Sequence, residues 1–239
     1  PTDHGWRMLS GDETGWLLGD FILSRLAPGE TAGAVVASSV VSSQLLAAIA
    51  TDHGARHVQT LTGFKWLARA DADVPGGVLV YAYEEAIGHC VDPEAVRDKD
   101  GISTAVLACD LVAGLAAQGS SVPAALDALA RRHGLHMTAA VSRGVATPAE
   151  AAAMMARLRA HPPTELAGIA VTAGDRADML ILSGEDGQAS VRVVVRPSGT
   201  EPKVKCYTEV RLTATDDLEG ARVRASALQS RLLAAARSW

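Results

Sequence analysis

Up to His133 the chain alternates short β-branched runs with helical ones; beyond it strand-like runs crowd together. That change of rhythm predicts two differently built domains. From Gly11, Leu17, Leu18, Phe21, Ile22 and Leu26 recur at helical spacing behind Asp12 and Glu13, acids that a helix dipole favours in its first turn. Ala34 to Val41 reads as a strand, and Ser42-Ser43 as the cap of a helix running through Ala50. His57 to Leu61, Phe64 to Arg69 and Val78 to Tyr83 repeat the strand–helix–strand order, as parallel βαβ units do. Two Ala/Leu-rich helices, Ile102 to Gln118 and Val122 to His133, close this half.

The second half opens with a strand from Met137 to Val145 and a helix from Pro148 to Ala160. Four strand-like runs follow, at Gly168 to Ala173, Asp178 to Ser183, Ala189 to Arg196 and Lys203 to Leu212, and a helix from about Asp217 to Ala236 ends the chain. The prediction is an α/β domain at 1–135, a mixed or parallel sheet with helices on both faces. An α+β domain at 136–239 follows it, with an antiparallel sheet and helices on one face; the boundary lies between Gly134 and His136.

Composition narrows the function classes. A chain of 239 residues that is 48% hydrophobic can bury a core without disulfides, and Cys90, Cys109 and Cys206 are too widely spaced for a zinc knuckle. Twenty-two Lys and Arg against 27 Asp and Glu disfavour a nucleic-acid or anionic-membrane partner, so any anion site must be local. No apolar stretch approaches the roughly 20 residues that cross a bilayer, and no basic-then-apolar leader opens the sequence. A cytoplasmic location is expected. Because Pro1 leads almost directly into structured-looking sequence, the chain is expected to be a piece of a longer one.

Arg196-Pro197-Ser198-Gly199-Thr200-Glu201-Pro202-Lys203 joins two of the strands. Its glycine lets backbone amides approach a ligand, while hydroxyls and an arginine fork add donors, so it has the parts of a phosphate cradle; it also has the composition of a polar hairpin turn. The octapeptide resembles the phosphate-binding loop of the α-D-phosphohexomutases, the family of phosphoglucomutases and phosphomannomutases. Three further stretches resemble the family's third domain in order: Gly5 to Glu13, Thr60 to Trp66, and Tyr83 to His89 as its sugar-binding loop; Asp98 to Gly101 matches the lead into the next helix.

The resemblance implies a great deal. Members move a phosphoryl group between the 1 and 6 positions of a hexose (1 and 5 of a pentose) through a bisphosphate, with a phosphoserine on the first domain, Mg²⁺ on the second, and glucose 1,6-bisphosphate as activator. Neither a Ser-His-Asn-Pro nucleophile loop nor an Asp-x-Asp-x-Asp-Arg loop occurs here, so the chain resembles domains three and four alone. Its expected partners are the phosphosugar and the two missing N-terminal domains, and on its own it is expected to bind and not react. A stand-alone sugar-phosphate-binding module is the rival reading.

Carried over by position, Arg196, Ser198, Gly199 and Thr200 are expected to bind phosphate, with Lys203 adding field or pointing into solvent. Glu85, beside Glu84, occupies the place of the family's sugar-hydroxyl-binding glutamate, although two adjacent acids also suit a helix start. Ile87 stands where many members have Ser, which removes a hydroxyl contact. Lys65, just past a Gly turn, is expected to reach the sugar or its phosphate, or else to be a first-turn lysine. His89 is either a proton-transfer group or a hydrogen-bonded structural histidine. Arg7 is expected at a hinge or cleft. Asp71-x-Asp73 and Asp98-x-Asp100 are read as solvated loop residues and helix caps, not metal ligands.

Overall fold

The computed structural model describes residues 5–199 and 201–239. The chain divides into two compact units, one ending at Leu129 and the other beginning at Ala130.

In the first unit α1 (Gly11–Ser24) starts on a capping box: the Ser10 hydroxyl accepts the Glu13 amide, and the Glu13 carboxylate accepts the Ser10 amide. Arg7 grips the same carboxylate with two nitrogens at 2.8 and 2.7 Å, so it stabilises the helix start. Next come β1 (Ala34–Ser39), α2 (Leu45–Asp52), β2 (Arg56–Thr60), α3 (Phe64–Leu67), β3 (Val78–Glu84) and β4 (Gly88–Cys90). The unit continues with α4 (Gly101–Ala117) and α5 (Val122–His133), within which the division between units falls. The sheet order is β2-β1-β3-β4, parallel except for β4 at the edge.

All six residues of β1 are buried, as expected of a central parallel strand covered on both faces. Val36, Tyr81 and Tyr83 meet Trp16, Leu17, Leu46, Ile49, Leu111 and Leu129 from the flanking helices on one face. On the other, Val35, Ala37, Leu79 and Ala82 meet Phe64 and Leu67 of α3. The helix after β1 differs from expectation at its start: Gln44 is the cap residue, and the Ser43 hydroxyl accepts the Leu45 amide from one position earlier.

The second unit contains β5 (Leu135–Gly144), α6 (Pro148–Ala160), β6 (Glu165–Leu166), β7 (Ile169–Ala170), β8 (Thr172–Arg176), β9 (Met179–Glu185), β10 (Ala189–Pro197), β11 (Lys203–Leu212) and α7 (Leu218–Ser238). Five strands form an antiparallel sheet in the order β5-β11-β10-β9-β8. The strand expected at 168–173 is instead split between the small β6–β7 hairpin and the start of β8, with Ala167 and Gly168 turning at positive φ. Leu180, Leu182, Val191, Val193, Val195, Val204, Cys206 and Val210 face Met154, Met155 and Leu158 of α6 and Ala225, Leu232 and Ala236 of α7. Strand alternation therefore sends Arg192, Arg196, Lys203 and Lys205 to the face opposite α6 and α7.

Helix α1 lies tight on β3, and Gly15 makes this possible: a Cβ there would sit 2.5 Å from the Tyr83 ring. Gly15→Ala is expected to destabilise the protein by about 1–3 kcal/mol, the usual cost of overpacking. Urea unfolding checks this, and an unchanged midpoint would refute the packing.

Candidate functional site

Ligands of parallel α/β sheets gather beyond the carboxyl ends of the strands. In the first unit that edge consists of the turns after β1, β2 and β3, and Ser39, Ser42, Lys65 and Glu85 all stand on or next to it. Glu84 ends β3, opposite Gly88 of β4, and Glu85-Ala86-Ile87 is the connection between these strands. The helix-start reading of Glu84-Glu85 is thereby corrected. Ile87 takes φ 63°, the left-handed position where such hairpins usually carry glycine, and a β-branched residue there is strained. Its side chain is exposed.

Glu85 is half-buried and held by neighbours. Ser39 Oγ donates to its Oε2 at 3.2 Å, Ser42 Oγ lies 3.4 Å from the same oxygen, and the Glu85 amide donates to Ser42 Oγ at 3.0 Å. Gly11 at the start of α1 approaches so closely that a Cβ would lie 2.1 Å from the Glu85 carbonyl oxygen. Burial raises the pKa of Glu85, and the nearby charge of Asp12 raises it further. Asp12 is itself buried, its Oδ1 accepting the Tyr83 hydroxyl at 2.9 Å and the Ser43 amide at 2.8 Å.

Lys65 is exposed, with its ammonium 5.3 Å from the centre of the Trp66 ring and no ion pair among the described residues. Glu84 packs across Gly88 from Lys99, whose ammonium lies 4.7 Å from the Phe64 ring centre. His89 is only 4% exposed and lies in a stack with Tyr81 and Tyr83. Its Nδ1 is 3.0 Å from the Tyr81 hydroxyl, and Nε2 is buried without a hydrogen-bond partner. Burial pushes its pKa down to about 4, which keeps the ring neutral near pH 7. This is the geometry of a packed histidine.

In the second unit the loop from Pro197 to Lys203 is closed by the Ser198 amide donating to the Lys203 carbonyl at 2.8 Å. Ser198 is half-buried and Gly199 exposed, with nothing within 4 Å of where a Cβ would be. Thr200 lies outside the described residues. The Arg196 side chain carries no hydrogen bond or ion pair among the described residues, and its Nε is buried without a partner, which in a folded protein calls for a ligand or water. Lys203, read as adding field at the phosphate or pointing into solvent, is ion-paired with Glu201. Lys205, which local sequence did not single out, sits directly opposite Arg196 on β11 and on the same face.

The Mg²⁺ implied by the resemblance finds no ligand set among the described residues. Among the described residues no three His, Cys, Asp or Glu side chains converge. Asp100 caps α4 by accepting the Ile102 and Ser103 amides, as expected. Asp71 is not the solvated loop residue expected: Arg97, distant in sequence, clamps it through two bonds of 2.9 Å and holds its carboxyl below the usual range.

The fold agrees with that of known proteins. Residues 10–133 match the profile of phosphoglucomutase/phosphomannomutase alpha/beta/alpha domain III, and residues 145–226 match that of the phosphoglucomutase/phosphomannomutase C-terminal domain. The chain belongs to the phosphoglucomutase/phosphomannomutase family. A Haemophilus influenzae protein named "probable phosphomannomutase" is 36% identical over 213 residues, covering 86% of this chain and 41% of its own length. Human phosphopentomutase is 38% identical over 145 residues, covering 56% of this chain and 23% of its own. A Paramecium exocytosis-sensitive phosphoprotein, described as a phosphoglucomutase, shares the fold with a TM-score of 0.65 at 18% identity, over 94% of this chain and 41% of its own. The chain thus spans about two fifths or less of the length of these relatives.

The depressed pKa of His89 sets a pH dependence. Its folded value, about 4, lies below the ordinary 6.5, so the unfolded chain binds the proton more readily and stability falls as pH drops through that window. The loss is up to ~1.4 kcal/mol per pH unit for such a histidine. His57, also pushed to about 4 by burial, adds a second contribution. Urea unfolding between about pH 6.5 and 4.5 is expected to show a shallower slope for His89→Gln than for the parent; equal slopes would show His89 to be solvated.

Proposed function

We propose that this chain is the sugar- and phosphate-holding part of a sugar-phosphate mutase, which exchanges the 1- and 6-phosphates of a hexose, or the 1- and 5-phosphates of a pentose, through a bisphosphate. The observation that carries the proposal is Arg196, a guanidinium with no protein partner among the described residues, beside a glycine-containing loop on the sheet face opposite α6 and α7. A guanidinium fork binds a phosphate dianion with two charge-assisted hydrogen bonds. Lys205 next to it strengthens the field, and the Ser198 hydroxyl and Gly199 amide supply single donors. The phosphate gripped there is the one that does not react.

Glu85 takes the other task. A carboxylate accepts from two neighbouring sugar hydroxyls at once, and this suits an intermediate that must be read in two orientations. Lys65, exposed at the same edge, adds positive charge for a phosphosugar. The reacting phosphoserine, the Mg²⁺ loop and the activating glucose 1,6-bisphosphate act, on this reading, with the two domains that the family places ahead of domain III. Phosphoryl transfer depends on positioning and charge stabilisation, and this chain contributes the positioning. Cytoplasmic sugar-phosphate metabolism is the proposed setting.

Two outcomes test the proposal. Isothermal titration with a hexose phosphate is expected to show binding weakened about 10-fold or more by Arg196→Ala, several-fold by Lys205→Gln and least by Lys203→Gln, consistent with ~1.5–3 kcal/mol for a charged hydrogen bond. Equal affinities across the three would overturn the assignment of the loop. The 239-residue chain by itself is expected to give no mutase turnover with Mg²⁺ and glucose 1,6-bisphosphate, and turnover would show that it holds the reacting groups.

A further inference from the structure

We infer that Ser39 and Ser42, which the family resemblance does not mark, form a cradle that turns the Glu85 carboxylate toward the sugar, so that the turn after β1 sets how tightly hydroxyls are read. The inference rests on Glu85 being the sugar-reading group. Both serines are buried, at 0% and 1% exposure, and the turn that joins them is closed by the Ser42 amide donating to the Ser39 carbonyl at 3.0 Å. That turn brings the two hydroxyls to 2.8 Å from each other.

The distances set the direction of the bonds. Ser42 Oγ accepts the Glu85 amide at 3.0 Å, and its one proton goes to the nearest acceptor, Ser39 Oγ at 2.8 Å, rather than to Glu85 Oε2 at 3.4 Å. Ser39 then gives its own proton to Glu85 Oε2 at 3.2 Å, and the 3.4 Å approach of Ser42 to that oxygen is secondary. The ring runs from the Glu85 amide through both hydroxyls back to the Glu85 carboxylate. Chained hydrogen bonds of this kind polarise one another and lock the side chain against its own backbone. One carboxylate oxygen is occupied. Oε1 carries no hydrogen bond among the described residues, so it is the oxygen left for a sugar.

A merely structural pair of serines would have a different signature from a positioning pair. In the full-length protein, Ser39→Ala and Ser42→Ala are each expected to raise KM for the sugar phosphate about 3- to 10-fold with kcat little changed, consistent with ~1 kcal/mol for a neutral hydrogen bond. In a Glu85→Ala background the same changes are expected to add less than about twofold, because the group they position is gone. Unchanged KM, or the full effect persisting without Glu85, would overturn the inference.

A parent enzyme with no turnover of any hexose or pentose phosphate would refute the proposed function instead. The cradle is then judged without ligand, by ¹³C NMR titration of the Glu85 carboxyl in this chain. Removing both hydroxyls is expected to raise its titration midpoint, since a donated bond favours the charged form. The charged groups facing it, Asp12 from α1 and Glu84 on β3, are the same in every variant. An unmoved midpoint overturns the cradle.

Discussion

A single buried oxygen organises the first half of the molecule. Asp12 Oδ1 accepts from Tyr83 on β3 and from the Ser43 amide in the turn after β1, and so ties α1 to the two segments that carry Glu85 and its serines. A charge in that position is costly unless hydrogen-bonded, and both of these donors come from the protein. Gly11 and Gly15 then let the helix close onto Glu85 and Tyr83 with no side chain between. Burial and the negative charge of Asp12 beside it raise the pKa of Glu85, and the Ser39 hydroxyl opposes that effect. Rigidity and electrostatics at this edge therefore have one source.

The second half solves a different problem. The protein carries a formal charge of −5, yet the proposed anion binding needs a concentrated positive field. The antiparallel sheet supplies it by geometry: alternation along β10 and β11 puts Val191, Val193, Val195, Val204 and Cys206 beneath the helices and delivers Arg196, Lys203 and Lys205 to the opposite face. Glu201 neutralises Lys203. Arg196 lacks such a partner among the described residues and faces Lys205 directly across the strands, where like charges are unfavourable.

Much of this was legible in the sequence. The α/β half and the antiparallel α+β half follow from the change of rhythm near His133, and short motifs single out the candidate phosphate loop and Glu85. What escaped is instructive in its causes. Strand β4 is three residues, Gly-His-Cys, too short for a period-two pattern. The turn before it hides because Ile87 holds a position where glycine would have signalled a hairpin. Lys205 beside Arg196, Arg97 on Asp71, and Ser39 on Glu85 are contacts between residues far apart in sequence, and no local motif records them. Ser42 and Ser43 read as a helix cap because hydroxyls before an apolar run usually are one; Ser43 contributes in that way, while Ser42 turns to Glu85.

The central claim is that one chain holds a phosphate with Arg196 and a sugar with Glu85. A crystal structure of the full-length protein with a bound hexose bisphosphate tests it most directly. The account predicts a phosphate within hydrogen-bond distance of the Arg196 guanidinium and the Gly199 amide, and sugar hydroxyls on Oε1 of Glu85 with Oε2 still on Ser39. A ligand bound elsewhere, with Arg196 paired to a protein carboxylate and Oε1 facing water, would contradict it.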